Sequence, residues 1–61
     1  MTNREKEILH LLLQGKTNKQ IARELGISDF TVRDYASSIF HQHGVNSRVE
    51  LLAKKMKNPN I

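Results

Sequence analysis

Four hydroxyl residues and three glycines alternate along this 61-residue chain in the order Thr2, Gly15, Thr17, Gly26, Ser28, Gly44, Ser47. That punctuation limits the fold more than any other feature. A Ser or Thr side chain accepts a hydrogen bond from the exposed N–H groups of a first helical turn, and glycine closes a last turn in the left-handed conformation at little steric cost. Each hydroxyl residue here precedes apolar residues at helical spacing, and each glycine follows such a stretch. Three starts also have the pairing of a reciprocal capping box: Thr2 with Glu5, Thr17 with Gln20, and Ser47 with Glu50. Ser28 has Thr31 in that place. The final stretch stops at Lys57-Asn58-Pro59. Helices are predicted over 3–14, 18–25, 29–43 and 48–57. No segment has the polar/apolar alternation of a strand, so the expected class is all-α, a compact four-helix bundle making one domain over 1–61.

Size and composition exclude several functions. A chain this short buries only ~60% of the surface it exposes when unfolded, which disfavours a deep catalytic cleft. The absence of cysteine removes disulfides and thiolate metal sites, and fits the cytoplasm. No apolar run approaches the ~18 residues of a membrane span, and Met1-Thr2-Asn3-Arg4-Glu5 has no signal core, so a soluble protein without a membrane partner is expected. His41 and His43 are two apart and share no helix face, so with His10 they predict no metal site. Glu5 and Glu7 fail as a carboxylate pair for the same reason. Every glycine is used as a helix stop, and none belongs to a phosphate-cradling loop. An enzyme, a cofactor and a small-molecule ligand are therefore not expected.

Placed at 100° per residue, Ile8, Leu9 and Leu12 face the core from the first helix, flanked by Leu11 and Leu13. Ile21, Ala22 and Leu25, continued by Ile27, do so from the second. Val32, Ala36, Ile39 and His43 share a line on the third, between Tyr35 and Phe40. Residues 17–43 thus form a short capped helix, a glycine turn and a longer capped helix, the layout of a helix-turn-helix. Ala22 is small where the third helix must pass closely, Gly26 makes the turn, and Val32 and Ile39 plug the inside.

The residues that carry this layout also carry a family likeness. Thr2-x-Arg4-Glu5-x-Glu7-Ile8-Leu9, Gly15-Lys16-Thr17-Asn18-Lys19-Gln20-Ile21-Ala22-x-x-Leu25-Gly26-Ile27-Ser28, Thr31-Val32-Arg33 and Gly44-Val45-x-Ser47-Arg48 closely resemble the LuxR-type (GerE-like) DNA-binding domain over almost the whole chain. The resemblance implies a transcription regulator, commonly the output half of a two-component response regulator of the NarL/FixJ class, that binds double-stranded promoter DNA as a dimer. It leaves RNA polymerase as a further candidate partner. Free-standing versions also exist. Met1 stands where leucine is usual, compatible with a natural start or with a domain excised from a longer chain. Tyr35 replaces a frequent histidine and Ala36 a larger aliphatic, while Asp34 and Ser37 occupy positions where a lysine or another groove-reaching residue is common. Region 4 of a sigma factor shares the Arg-Glu start and the Ile-Ala-x-x-Leu-Gly-Ile-Ser turn, but the Gly44-Val45-x-Ser47-Arg48 connection and the capped fourth helix argue against it. An interaction module that binds another regulator and no DNA is the rival from a different class.

In a helix-turn-helix the second helix of the pair enters the major groove, its N-terminal residues nearest the bases. Opposite Val32 lie Phe30, Arg33, Asp34, Ser37 and His41, of which the first four are placed to read bases. Arg33 can bond guanine O6 and N7 together, or else a phosphate. Asp34 can accept from a cytosine amino group, orient Arg33, or stay solvated; Phe30 can press on a thymine methyl or fold back over a neighbour. Ser37 is small enough to work through water. Phosphate contacts are expected at the helix starts, from Lys16, Thr17, Asn18 and Lys19 and from Ser28 and Thr31, where free N–H groups attract anions. Capping and phosphate binding are compatible roles for Thr17 and Ser28.

On the fourth helix Leu51 and Leu52, with the stem of Lys55, suit the core, which leaves Val49, Ala53 and Met56 as a second apolar strip and the expected homodimer interface. Arg48 is expected to pair with Glu5 or Glu7 and tie the fourth helix to the first. The net charge of +4 is unevenly placed. The fourth helix has Arg48, Lys54, Lys55 and Lys57 against Glu50, whereas the third sets Arg33 alone against Asp29 and Asp34. Charge is thus a poor reason to expect DNA, and the motif register is the better one.

Overall fold

The computed structural model describes residues 2–58; Met1 and the Pro59 stop lie outside the described residues. Four helices follow one another, α1 (Asn3–Leu13), α2 (Asn18–Leu25), α3 (Asp29–Gln42) and α4 (Arg48–Lys57), and no strand occurs among the described residues. α1 and α3 each end one residue before the predicted limit because Gln14 and His43 are their C-caps. The hydroxyls of Thr2, Thr17, Ser28 and Ser47 accept from the N–H three residues on, as expected, at 3.1, 3.1, 3.0 and 3.3 Å.

Two of the three expected capping boxes close. The Thr2 N–H donates to Glu5 Oε1 at 3.0 Å and the Thr17 N–H to Gln20 Oε1 at 2.9 Å. At Ser47 the box is open, because Glu50 Oε2 accepts instead from the Asn46 N–H at 3.2 Å. The cause is backbone rotation. Ser47 has φ −157°, against −73° and −76° at Thr2 and Thr17, so its N–H leaves the first turn in a different direction from theirs.

The turn between α2 and α3 is built on one carbonyl. Ala22 O accepts from the N–H of both Gly26 and Ile27, which closes the end of α2 with Gly26 at φ +68°. A side chain at that φ meets its own backbone, so glycine is the residue that lets the chain double back within two residues. The end of α3 closes on two carbonyls instead: Val45 N–H donates to Phe40 O and Gly44 N–H to His41 O.

Ile8, Leu12, Ile21, Ala22, Val32, Ala36, Ile39 and Leu51 form one buried cluster drawn from all four helices. Six of these are fully enclosed; Ala22 and Ala36 retain a few per cent of exposure, and α2 packs most extensively on α3. Leu9, Leu11, Leu13, Leu25, Ile27, Tyr35, Phe40 and Val45 form a half-buried ring around it. The expected inward pair Ile8 and Leu12 is thus correct, but Leu9 and Leu25 lie at the rim. On α4 the core-facing role expected of Lys55 is corrected. Lys55 is exposed, and it is Lys54 that is half-buried, its Nζ donating to the carbonyl of His43. That carbonyl is the negative end of the α3 dipole, where an ammonium gains most.

The expected tie between Arg48 and Glu5 or Glu7 is also corrected. Glu5 Oε2 accepts from Gln42 Nε2 at 2.9 Å and from the Ser38 hydroxyl at 3.2 Å, which binds α1 to α3. Glu7 faces Arg4 at 4.0 Å within α1, and Arg48 turns to α2. Ser38 and Gln42 are one helical turn apart, so a single carboxylate grips two points on α3 and fixes its rotation about its own axis.

The Thr2 N–H, then the Thr2 side chain, and then Gln42 and Ser38 hold the Glu5 carboxyl below the usual carboxylate range, against the opposing effect of desolvation. A depressed folded-state value means that the stabilisation is complete above the unfolded pKa and is lost as pH falls through the folded one. The melting temperature of the wild type should therefore fall more steeply than that of Glu5→Gln between about pH 5 and pH 3, followed by circular dichroism. Parallel pH profiles would contradict the role given to Glu5.

Candidate nucleic-acid interface

The outer face of α3 is left bare by the packing of its inner face. Val32, Ala36 and Ile39 are committed to the core, so Phe30, Arg33, Asp34 and Ser37 are all exposed, Phe30 to 70%. Two concave surfaces flank this ridge. One is an open groove lined by Thr17, Asn18 and Lys19 from the start of α2, Asp29, Arg33, Ala36, Ser37 and Phe40 from α3, and Arg48 from the start of α4. The other, on the far side of α3, is lined by Thr31, Asp34, Tyr35 and Ser38.

The groove therefore gathers five of the residues read from the sequence as DNA-facing: Thr17, Asn18, Lys19, Arg33 and Ser37. Its charge is three cations, Lys19, Arg33 and Arg48, against the single carboxylate of Asp29. Among the described residues neither Lys19 nor Arg33 has a side-chain hydrogen bond or ion pair, so both charges are uncommitted. The backbone adds donors. Asn18 and Lys19 are the first two residues of α2, and Asp29 and Phe30 the first two of α3; their N–H groups precede the first intrahelical bonds, made by Ile21 and Val32. Both helix starts thus carry free donors and the positive end of a dipole.

Other expected residues are placed differently. Lys16 Nζ sits 2.7 Å from Glu24 Oε1, on the α2 side away from the groove. An exposed pair of this kind contributes ~0–1 kcal/mol and opens readily, so the lysine is held loosely rather than consumed. Ser28 and Thr31 bond each other through their hydroxyls at 2.8 Å while Ser28 also caps α3. Arg33 and Asp34 make no ion pair and flank the ridge on opposite sides, so Asp34 does not orient Arg33.

Arg48 is the groove cation that the sequence reading assigned to an ion pair with α1 instead. Its Nη2 donates to Asn18 Oδ1 at 2.8 Å across thirty residues of sequence. Helical periodicity relates residues within one helix and says nothing of a contact between the starts of two helices, so only the shared position at a first turn could have hinted at it. On α4, Val49 is 74% and Met56 86% exposed, and Ala53 is exposed between them. These three stand about one turn apart in succession on one exposed face of α4. No helix is long and apolar enough to cross a membrane, and among the described residues no group of three His, Cys, Asp or Glu is placed to hold a metal.

Comparison with known proteins agrees with this geometry. The family of bacterial regulatory proteins described as the luxR family matches residues 1–57. The chain is 44% identical over 54 residues to the transcriptional regulatory protein DesR of Bacillus subtilis, covering 88% of this chain and 27% of DesR. It is 40% identical over 57 residues to the spore germination protein GerE of the same organism, covering 93% of this chain and 77% of GerE. With the nitrate/nitrite response regulator protein NarP of Escherichia coli it shares 45% identity over 49 residues, which is 80% of this chain and 23% of NarP. The chain thus spans about a quarter of the length of DesR and NarP and about three quarters of GerE. A Gly26 turn packed on Ala22, a bare outer face on α3 and a family match over almost every residue lead to one assignment: the chain belongs to the luxR family of bacterial regulatory proteins and forms its helix-turn-helix DNA-binding domain.

Proposed function

We propose that this chain reads promoter DNA as a dimer, with α3 in the major groove, and serves as the output domain of a cytoplasmic two-component response regulator. The observation that carries the reading is the groove, where Lys19 and Arg33 stand uncommitted beside the donor-rich start of α2. Arg33 and Ser37 approach base edges on one side of the ridge, with Phe30 and Asp34 on the other. Thr17, Lys19 and the backbone of Asn18 hold one phosphate run, and Ser28 and Thr31 at the start of α3 another, with Lys16 joining when its pair with Glu24 opens. The response-regulator role is supported by the likeness to NarP, named a response regulator, and RNA polymerase is a further partner of such a role. The chain is a binding module over 1–61, not an enzyme.

The dimer rests on Val49, Ala53 and Met56. Two copies joined along this strip present two α3 helices to half-sites about one DNA turn apart. The strip is small, so pairing is weak in free solution and is completed on DNA.

Mobility shift on a panel of duplexes tests the reading. Arg33→Ala should cost ~1–3 kcal/mol on the preferred site and little elsewhere, whereas Lys19→Ala should weaken every duplex alike and reduce the salt slope by about one. Equal losses from both on all sequences would remove Arg33 as a reader. A wild type that retains no duplex at low salt yet forms a stable complex with another regulator would instead support the interaction module, to which the excess acid on α3 points. Val49→Glu should impair binding to a duplex with two half-sites and spare a single half-site; survival of both would move the interface away from α4.

A further inference from the structure

We propose that Arg48 is a phosphate-contacting residue, held in place by Asn18, so that the helix carrying the apolar strip also grips the DNA backbone. The inference rests on the DNA reading above and adds a contact to it. A guanidinium has five N–H donors, and Arg48 directs one toward Asn18 Oδ1 at 2.8 Å. That partner is a neutral amide. Among the described residues no carboxylate lies within 4.0 Å of Arg48, so its charge is fixed in direction but not neutralised. A brace between α2 and α4 would need no charge, and a charge used only for stability would be paired with an acid. Instead the half-buried side chain, held by the amide, stands on the wall of a groove that also holds Lys19 and Arg33. A phosphodiester shared with Lys19 would satisfy the remaining donors in the geometry an arginine fork favours, and leave Arg33 to the bases.

Asn18 changes role as a result. Its backbone N–H still faces the groove, but its side-chain oxygen positions Arg48 and does not face DNA. Arg48 is also the residue before Val49, so the contact and the apolar strip occupy the same turn of α4. A shift in how two copies pair would move the Arg48 fork directly.

The test is equilibrium binding to a short duplex of mixed sequence at salt concentrations from about 50 to 200 mM, with the fold of each variant checked by circular dichroism. Arg48→Met should lower the slope of log affinity against log salt by about 0.9, so that the advantage of the wild type is about 3.5-fold greater at the lowest salt than at the highest. Arg48→Lys keeps the charge and should keep the slope. Asn18→Ala should weaken the protein that has Arg48 and have no further effect in one that also carries Arg48→Met. A folded Arg48→Met protein with the wild-type slope would overturn the proposal and leave Arg48 a brace. Should that variant fail to fold, Arg48→Gln, which keeps a donor for Asn18 without the charge, takes its place under the same two outcomes. Wild-type protein that binds no duplex at low salt would overturn the DNA reading itself, and this inference with it.

Discussion

The close crossing of α2 and α3 is the constraint on which everything else depends. It requires a residue at Gly26 that accepts φ +68°, and a side chain at position 22 small enough to be buried between the helices. Once Ala22 and Gly26 are in place, Ile21, Val32 and Ile39 close against Ile8, Leu12 and Leu51, and the inner face of α3 is used up. Its outer face then has nothing left to pack against. Among the described residues no fifth element covers it, so the ridge stays exposed beside a small core. Glu5 completes the arrangement by gripping Ser38 and Gln42, which sets the side of α3 that turns outward.

Electrostatics in this domain work by placement and not by amount. α3 carries more acid than base, and of the basic residues of α4 only Arg48, at its first turn, lines the groove. What the groove offers an anion is a few uncommitted cations and two helix starts whose first N–H groups have no internal partner. Such donors are oriented by the backbone and lose little freedom when they bind. In the proposed complex sequence choice falls to the ridge, where Arg33 would reward a guanine and Asp34 would penalise a phosphate that comes too near.

Most of the fold was legible because it is written locally. Caps act over three residues and helical faces over four, and both can be read without knowing which helix lies beside which. Of the misread polar contacts, two lie where one helix meets another and one lies in the backbone at the start of α4. Glu50 caps Asn46 instead of Ser47 because of a single φ angle, Lys54 replaces Lys55 because the end of α3 happens to lie above it, and Arg48 turns to Asn18 instead of a glutamate on α1. The exposed set on α3 was visible as the complement of the core line. The groove was only half visible, since its third wall comes from α4, and no periodicity within one helix announces a neighbour thirty residues away.

The central claim is that the face of α3 left bare by this core selects DNA sequence. Repeated selection of bound duplexes from a random pool tests it most directly. The account predicts a pool enriched in two related half-sites about one helical turn apart, each with a fixed preference for guanine at one position. A pool that remains as random after selection as before would contradict it.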